Sequence, residues 1–316
     1  MIFDRPSLVV IVGATASGKT ALSLALAQAW GSPILNGDSR QVYVGMDIGT
    51  AKPTPAERAL CPHELWDLRP PTHPLTLAEY QRLAQARISH YHQQGITPIV
   101  VGGSGLYVQA ITAGLGIPPV APQPELRAQL GQLGQFHCYQ LLQHLDPQAA
   151  RGIHPHDWVR TQRALEVFYV TGMPISRWQR ANPPDYPIYL VGLEWPRAVL
   201  YERIAQRTLA MVAQGWVEEV RRLRQQYGSG LPLLRSLGYG EISAYLDGQI
   251  SLEQAQGQII RKTRHFAKQQ LTWFRHKCPG ITWFAGGDPG LREGVEEWLG
   301  RAVAERGNRL PSRPGR

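Results

Sequence analysis

Apolar and polar positions change period repeatedly over the first hundred residues. Leu8–Val12 is an unbroken apolar run of strand length, and Lys19–Trp30 reads as an Ala/Leu-rich helix. Pro33–Asn36 predicts a short strand, and Leu65–Leu68 a further one. Leu77–Gln94 predicts a helix opened by Thr76 as N-cap, with Glu79 at the capping-box position. Ile96–Val101 predicts a buried strand that ends on Gly102-Gly103. Strands alternating with helices argue for a parallel sheet flanked by helices on both faces.

The pattern then changes. Pro118–Pro124 reads as a Pro-rich linker, and from Glu125 to about Ala181 only helical patterns follow: Glu125–Leu133, Cys138–Leu145, Pro147–Gly152 and Asp157–Thr171. Asn182-Pro183-Pro184 closes that stretch, and Ile188–Leu193 is strand-like again. Helices are expected at Arg197–Ala213, Val217–Tyr227 and Leu252–His276, then a strand at Ile281–Phe284 and a last helix. The expected organisation is an α/β core from residues 1–117 and 186–305, with an all-helical insertion at 118–185. The Arg/Pro/Gly-rich tail 306–316 is expected to be disordered.

Composition adds one pointer and several exclusions. The 316 residues carry a net charge of +9, an excess of cations that suits a polyanionic partner. The three cysteines, Cys61, Cys138 and Cys278, lie far apart, so neither a zinc site nor a disulfide framework is indicated. No signal peptide and no run long enough to span a bilayer is read, so the expected compartment is the cytoplasm.

The most specific signal is Gly13-Ala14-Thr15-Ala16-Ser17-Gly18-Lys19-Thr20, a full G-x-x-x-x-G-K-[ST] between a strand and a helix. Such a loop turns successive N–H groups toward one centre at a helix N-terminus, which favours an anion. Lys19 would reach the terminal phosphate and Thr20 a Mg²⁺. The motif implies a bound di- or triphosphate without saying which, so the fold expected is P-loop NTPase-like. Asp38, in Asn36-Gly37-Asp38-Ser39-Arg40-Gln41, follows the second strand and belongs on the same rim, because ligands of open α/β sheets sit beyond the carboxyl ends of the strands. It reads equally as a functional carboxylate, accepting a proton or hydrogen bond or helping to hold a metal, and as an Asx-turn or helix cap. Ser104, in Gly102-Gly103-Ser104-Gly105, presents a hydroxyl or caps a helix. Ile96–Val101 ends in glycine, without the acidic residue common at that place in P-loop ATPases. Gly45–Pro53 is by spacing only a glycine-rich loop. The Leu252–His276 pattern sets Arg261, Arg264, His265, Lys268 and Arg275 on one face and Ile260, Ala267, Leu271 and Phe274 on the other.

Taken in order, Gly-Ala-Thr-Ala-Ser-Gly-Lys-Thr, Asp-Ser-Arg-Gln-Val-Tyr, Gly-Met-Asp-Ile-Gly-Thr-Ala-Lys-Pro and Gly-Gly-Ser-Gly-Leu-Tyr resemble the tRNA dimethylallyltransferases, the bacterial-type isopentenyl-tRNA transferases. Arg163–Val167, Gly238-Tyr239 and the Arg264–Phe274 segment extend the resemblance over about Leu8–Phe284. It implies transfer of a dimethylallyl group from dimethylallyl diphosphate to N6 of the adenosine 3′ of the anticodon, with Mg²⁺ as cofactor. It also implies that residues 13–20 and Arg221 hold the diphosphate and that Thr20 meets the metal. Asp38 is expected to be the base, assisted by Lys19 and Ser104. The expected contacts to the anticodon stem-loop are Asp38, Ser39, Arg40, Gln41, Ser104, Arg127, Arg160, Arg163, Arg235, Arg264 and Lys268. Position 104 departs from the family, which usually has Thr there. The chain is expected to act as a monomer. A P-loop small-molecule kinase with the insertion as its lid, or a non-catalytic RNA-binding P-loop protein, are the alternative readings. The first gives no reason for the basic helix, and the second none for an intact Lys19 and Thr20.

Overall fold

The computed structural model describes residues 2–307. Its strands, in chain order, are β1 (Leu8–Gly13), β2 (Ile34–Asn36), β3 (His63–Glu64), β4 (Ile99–Gly102), β5 (Ile188–Glu194) and β6 (Ile281–Ala285). They form one sheet in the order β3-β2-β4-β1-β5-β6, with every pairing parallel. The helices between them are α1 (Lys19–Trp30), α2 (Pro55–Arg58), α3 (Leu77–Gln93) and α4 (Gly105–Thr112), then α5 (Pro124–Leu145), α6 (Pro147–Gly152), α7 (Trp158–Thr171) and α8 (Ile175–Trp178). After β5 come α9 (Arg197–Ala213), α10 (Trp216–Tyr227), α11 (Tyr239–Leu246), α12 (Leu252–Lys277) and α13 (Leu291–Gly307). The parallel sheet flanked by helices expected from the hydrophobic pattern is the one the chain forms. Among the described residues no helix is long and apolar enough to cross a membrane.

The sheet's centre explains its sequence. β1 pairs with β4 on one side and β5 on the other, and all six of its residues are buried. A strand covered on both faces must be apolar throughout, which is why Leu8–Val12 shows no alternation. Val9, Ile11, Leu22, Leu26, Ile34, Ile99 and Val191 pack into one core with Val295 and Leu299 of α13. Each fully buried side chain of this kind stabilises by roughly 1.5–3 kcal/mol.

Several boundaries differ from expectation for local reasons. The strand expected at Leu65–Leu68 is instead β3, two residues earlier, because Leu65 (φ 69°) and Asp67 (φ 53°) adopt left-handed backbone that breaks an extended run. β4 starts at Ile99 rather than Ile96, since Ile96 N–H closes the end of α3 on Tyr91 O and Pro98 has no N–H to pair. The two helices expected at Glu125–Leu133 and Cys138–Leu145 are one element, α5, bent where Gly134 takes φ 78°. The tail expected to be disordered begins inside α13, which continues through Arg306 to Gly307; residues 308–316 lie outside the described residues.

The described residues divide into two compact units, 2–109 with 185–307, and 110–184. The division falls within α4, upstream of the proline linker. In the smaller unit Leu130, Cys138, Leu142, Ala164, Leu165 and Ile175 form a separate core. Its two ends are tied together, with Asn182 N–H on Gly114 O (2.9 Å) and Gly116 N–H on Arg180 O (3.0 Å).

Candidate active site

The phosphate-loop motif folds as its composition requires. Gly13 (φ 151°) and Gly18 (φ 95°) take backbone that side chains resist, and a Cβ on Gly13 would meet Leu193 O at 2.8 Å. Ala16 is also left-handed (φ 62°), an unusual conformation for a residue with a Cβ, and it is held there. Ala14 and Ala16 pack with Leu200 and Ile204 of α9 and Ala267 of α12. Gly18 caps α1 without any side-chain bond, so the first-turn N–H groups of α1 are left for a ligand. Ser17 Oγ is buried without a hydrogen-bond partner among the described residues, as expected of a hydroxyl lining an anion cradle.

Lys19 curls back over this loop. Its Nζ donates to Ala14 O (2.7 Å) and Gly13 O (3.1 Å). Burial and then the charge of Arg207 push its pKa down to about 7, against the opposing pull of Asp38. Arg207, on α9, is likewise lowered by burial, with Asp38 again acting to raise it and Arg203 to lower it. Lys19, Arg207 and Asp38 therefore share one electrostatic neighbourhood at the carboxyl end of the sheet. Arg207 Nη1 also lies 3.5 Å from Thr15 Oγ1.

Asp38 forms the Asx-turn that its position allows. Its Oδ1 accepts from Arg40 N–H (2.8 Å), an Asx-turn, yet it remains part-exposed beside Lys19 and Arg207. Buried Asn36 aims it: Oδ1 of Asn36 accepts from Asp38 N–H (2.8 Å) while Nδ2 donates to Asp38 O (3.0 Å) and Leu65 O (3.1 Å). Ser104 completes the brace. Its Oγ accepts from Ser39 N–H (2.9 Å) and donates to Ser39 Oγ (3.1 Å), so the hydroxyl expected to be catalytic is engaged in holding the Asp38 turn.

The glycines around Ser104 serve close packing of protein on protein. A Cβ on Gly102 would strike the Gly37 backbone, and one on Gly105 would strike the indole of Trp273. The loop Gly45–Pro53 is bound to buried Glu219, whose carboxylate accepts from Asp47, Ile48 and Gly49 N–H (2.9, 2.6 and 3.1 Å) and from the Tyr239 hydroxyl (2.7 Å). Buried Lys52 ties the same loop to Tyr43 O and to Asp47 and Asp67.

Several of the expected contact residues have partners within the protein. Arg221 pairs with Glu218 on its own helix, and the arginines that reach the phosphate loop are Arg203 and Arg207. Gln41 is a brace: its Nε2 donates to Thr50 O and Ala51 O, and its Oε1 accepts from Trp66 Nε1. Arg264 folds against α9, with its Cζ 5.2 Å from the Tyr201 ring centroid, so it leaves the exposed face of α12. Lys268, Arg40 and Arg235 are exposed, and Thr20 stands exposed on the first turn of α1. In the smaller unit Arg127 and Arg163 both grip buried Glu166 (2.7 and 2.6 Å), while Arg160 pairs with its cap Asp157 and stays exposed.

Residue spacing did not point to Arg203, Arg207, Trp195 and Gln270. Arg203 and Arg207 are one turn apart, a signal the chain did carry. What places them is the pairing of β5 beside β1, which sets Trp195 and α9 at the rim of the loop. Trp195 Nε1 donates to Ser17 O (2.9 Å) and Arg203 Nε to Ala16 O (2.9 Å).

Fold and site together define a phosphate-loop α/β protein with a carboxylate on the same rim of the sheet. The sequence profile of one family, IPP transferase, matches residues 41–277, and the chain belongs to that family. A protein of Synechococcus sp. (strain JA-3-3Ab) named tRNA dimethylallyltransferase is 61% identical over 279 residues, covering 88% of this chain and 82% of its own. One of the same name from Cyanothece sp. (strain PCC 7425) is 53% identical over 293 residues, covering 93% and 97%. The crystal structure of the full-length tRNA isopentenylpyrophosphate transferase from Bacillus halodurans is similar at TM-score 0.73 and 35% identity, covering 96% of this chain and 99% of its own. A eukaryotic dimethylallyltransferase captured acting on tRNA is similar at TM-score 0.82 and 25% identity, covering 99% and 82%.

Proposed function

We propose that this protein is a tRNA dimethylallyltransferase that moves the dimethylallyl group of dimethylallyl diphosphate to N6 of the adenosine 3′-adjacent to the anticodon. The observation that carries the reading is the convergence of Lys19, Arg207 and Asp38 on one rim: a cationic cradle for a leaving diphosphate next to a carboxylate. Membership of the IPP transferase family and the names of the relatives support the same reaction.

The chemistry is a displacement at C1 of the donor. The N6 lone pair forms the C–N bond as the C1–O bond breaks, and the diphosphate departs with that electron pair. Negative charge grows on the leaving group, where loop N–H groups, Lys19 and Arg207 stand ready to stabilise it. N6 is a poor nucleophile because its lone pair is delocalised into the purine. Asp38 accepts the proton that N6 loses, a contribution typically of ~10²–10⁴-fold.

A Mg²⁺ fits the loop. Such ions take one or two protein ligands and complete their shell with phosphate oxygens and water. Exposed Thr20, at the first turn of α1, would offer its hydroxyl as a ligand of that kind. Among the described residues no cluster of three or more His, Cys, Asp or Glu side chains exists to hold a different metal. When bound, the ion would neutralise charge on the diphosphate.

The reacting adenine must leave its stack, which costs a few kcal/mol. Cationic side chains along α12 and in residues 110–184, including Lys268 and Arg160, and the exposed Arg40 and Arg235, offset this by contacting the RNA backbone. Arg127 and Arg163, though anchored by Glu166, keep part of each side chain exposed for the same use. The protein works on the anticodon stem-loop as a monomer, in the cytoplasm.

The test is direct. The protein is incubated with unmodified tRNA, Mg²⁺ and labelled dimethylallyl diphosphate, and the RNA is digested to nucleosides. Label on adenosine is the expected result. No label on RNA, with ATP consumed in its place, would overturn the assignment in favour of a kinase.

A further inference from the structure

Resting on the transferase reading above, we propose that Gln270 is a positioning residue for the donor diphosphate: its side-chain amide holds the phosphate loop in register with the Gly102-Gly103 rim. Most of the core-facing side of α12 is apolar, with Ala255, Ile259, Ala267 and Phe274 buried; Gln270 is the polar exception at 6% exposure. Burying an amide is costly unless both of its ends are bonded. Here both are. Gln270 Oε1 accepts from Thr15 N–H at 2.9 Å, and Nε2 donates to Gly103 O at 2.9 Å.

The two partners have fixed polarity. A backbone N–H only donates and a carbonyl only accepts, so one orientation of the amide satisfies both. Thr15 belongs to the loop that follows β1, and Gly103 follows β4, the neighbouring strand. Gln270 is thus a cross-link between two strand ends, made from a helix that follows both in sequence. Gly103 must be glycine for this, because a Cβ there would overlap Gln270 Nε2. One turn further along α12, Trp273 lies against Gly105 in the same way. Both side chains of α12 therefore seat on the Gly-Gly-Ser-Gly segment, whose Ser104 holds the Asp38 turn.

The consequence is specific. Thr15 N–H is taken by a side chain, which sets the direction in which the next residues, Ala16 to Lys19, present their N–H groups. Without that bond the loop keeps its sequence and its lysine but loses one of the ties that fix its shape. Donor binding should suffer more than RNA binding, and more than folding.

The experiment uses the full chain with Gln270→Met, which keeps the volume and removes both bonds, and Gln270→Glu, which keeps the acceptor and sets a carboxylate against Gly103 O. Steady-state transfer gives KM for each substrate, and calorimetry with inorganic diphosphate and Mg²⁺ gives Kd and stoichiometry separately. For Gln270→Met we expect donor KM and diphosphate Kd to rise about tenfold, the loss of hydrogen bonding of ordinary strength. KM for tRNA should stay within about twofold, and Gln270→Glu should be weaker still. Partial unfolding would lower the stoichiometry and leave Kd unchanged, so a purely structural role is distinguished. Unaltered diphosphate affinity in both variants overturns the proposal. A wild-type protein that transfers no prenyl group overturns the transferase reading instead.

Discussion

Arg203 lies on the face of Trp195, with its guanidinium carbon 4.3 Å from the ring centroid, and both side chains end on the phosphate loop. Arg203 Nε donates to Ala16 O and Trp195 Nε1 to Ser17 O. Two consecutive carbonyls are thereby tied to protein donors, and the peptide planes are fixed with them. This accounts for the left-handed Ala16, whose strain the two bonds and the packing against Leu200 and Ile204 offset.

Trp195→Phe should keep the stacking and lose the bond to Ser17 O. One neutral hydrogen bond is worth about 1 kcal/mol, so donor affinity should fall by about fivefold with the fold intact. Calorimetric titration with diphosphate measures it, and an unchanged Kd would show that the loop holds its shape without the indole.

Asp38 serves both as Asx-turn and as the proposed base, and two substitutions separate the roles. Asp38→Asn keeps an acceptor for Arg40 N–H but cannot take a proton at neutral pH. Asp38→Ala removes both. We expect turnover to fall about a hundredfold or more in each, with donor Kd within a few-fold. Wild-type turnover in Asp38→Asn would mean that the residue only shapes the turn.

Lys19 predicts a pH dependence. With its pKa pushed down to about 7 by burial, the ligand-free lysine is largely neutral above that pH. A diphosphate binds its cation, so a proton must be taken up, and donor affinity should fall as pH rises above 7, by at most about tenfold per unit. For folding of the free protein the sign is opposite. The unfolded chain holds this proton up to about pH 10.4, so the group's contribution to stability increases between about 7 and that value. Diphosphate Kd from pH 6.5 to 9, with Lys19→Met as reference, checks the first claim; parallel slopes in both proteins would refute it.

Glu166 anchors the helical unit of residues 110–184. Burial by itself would raise its pKa, but Arg127, the Gln123 N–H and Arg163 hold it down to about 2. Its stabilising effect is complete above the unfolded value of about 4.3 and is lost as pH falls toward 2. Glu166→Gln should destabilise that unit by about 1–3 kcal/mol, since both arginines can partly rehydrate. The gap between the thermal melts of wild type and variant should be narrower at pH 3 than at pH 7.

Lys268 and Arg264 make a contrasting pair on α12. Lys268 is exposed, while Arg264 rests on Tyr201. Lys268→Ala should weaken tRNA binding and lower the salt-dependence slope by about one, as loss of a phosphate contact does. Arg264→Ala should act mainly on stability. Filter binding across a salt series tells them apart, and equal slopes for wild type and Lys268→Ala would remove that lysine from the RNA surface.

Periodicity and local motif were readable because they depend on near neighbours along the chain. The strand of Leu8–Val12, the capping box at Thr76 and the Gly13–Thr20 loop all follow from residues a few positions apart. Asp38 was legible as a rim residue because a parallel sheet puts its strand ends on one side. What stayed hidden was which polar side chains turn inward. Gln41 bonds Thr50 and Ala51, Arg264 rests on Tyr201 and Arg221 pairs with Glu218, partners that residue spacing did not indicate.

The amino-acid order alone determined the local elements, namely the apolar β1 strand, the Gly13–Thr20 turn and the run of helices after Pro118, since each rests on local backbone preference. The tertiary structure decided which of many cations serve the cradle. Strand order placed β5 beside β1 and so brought Arg203, Arg207 and Trp195 to the loop from far along the chain. Helix α12 supplied Gln270 across 255 positions to a single loop N–H. Contacts at that separation depend on how sheet and helices pack, and no periodicity in the sequence records them.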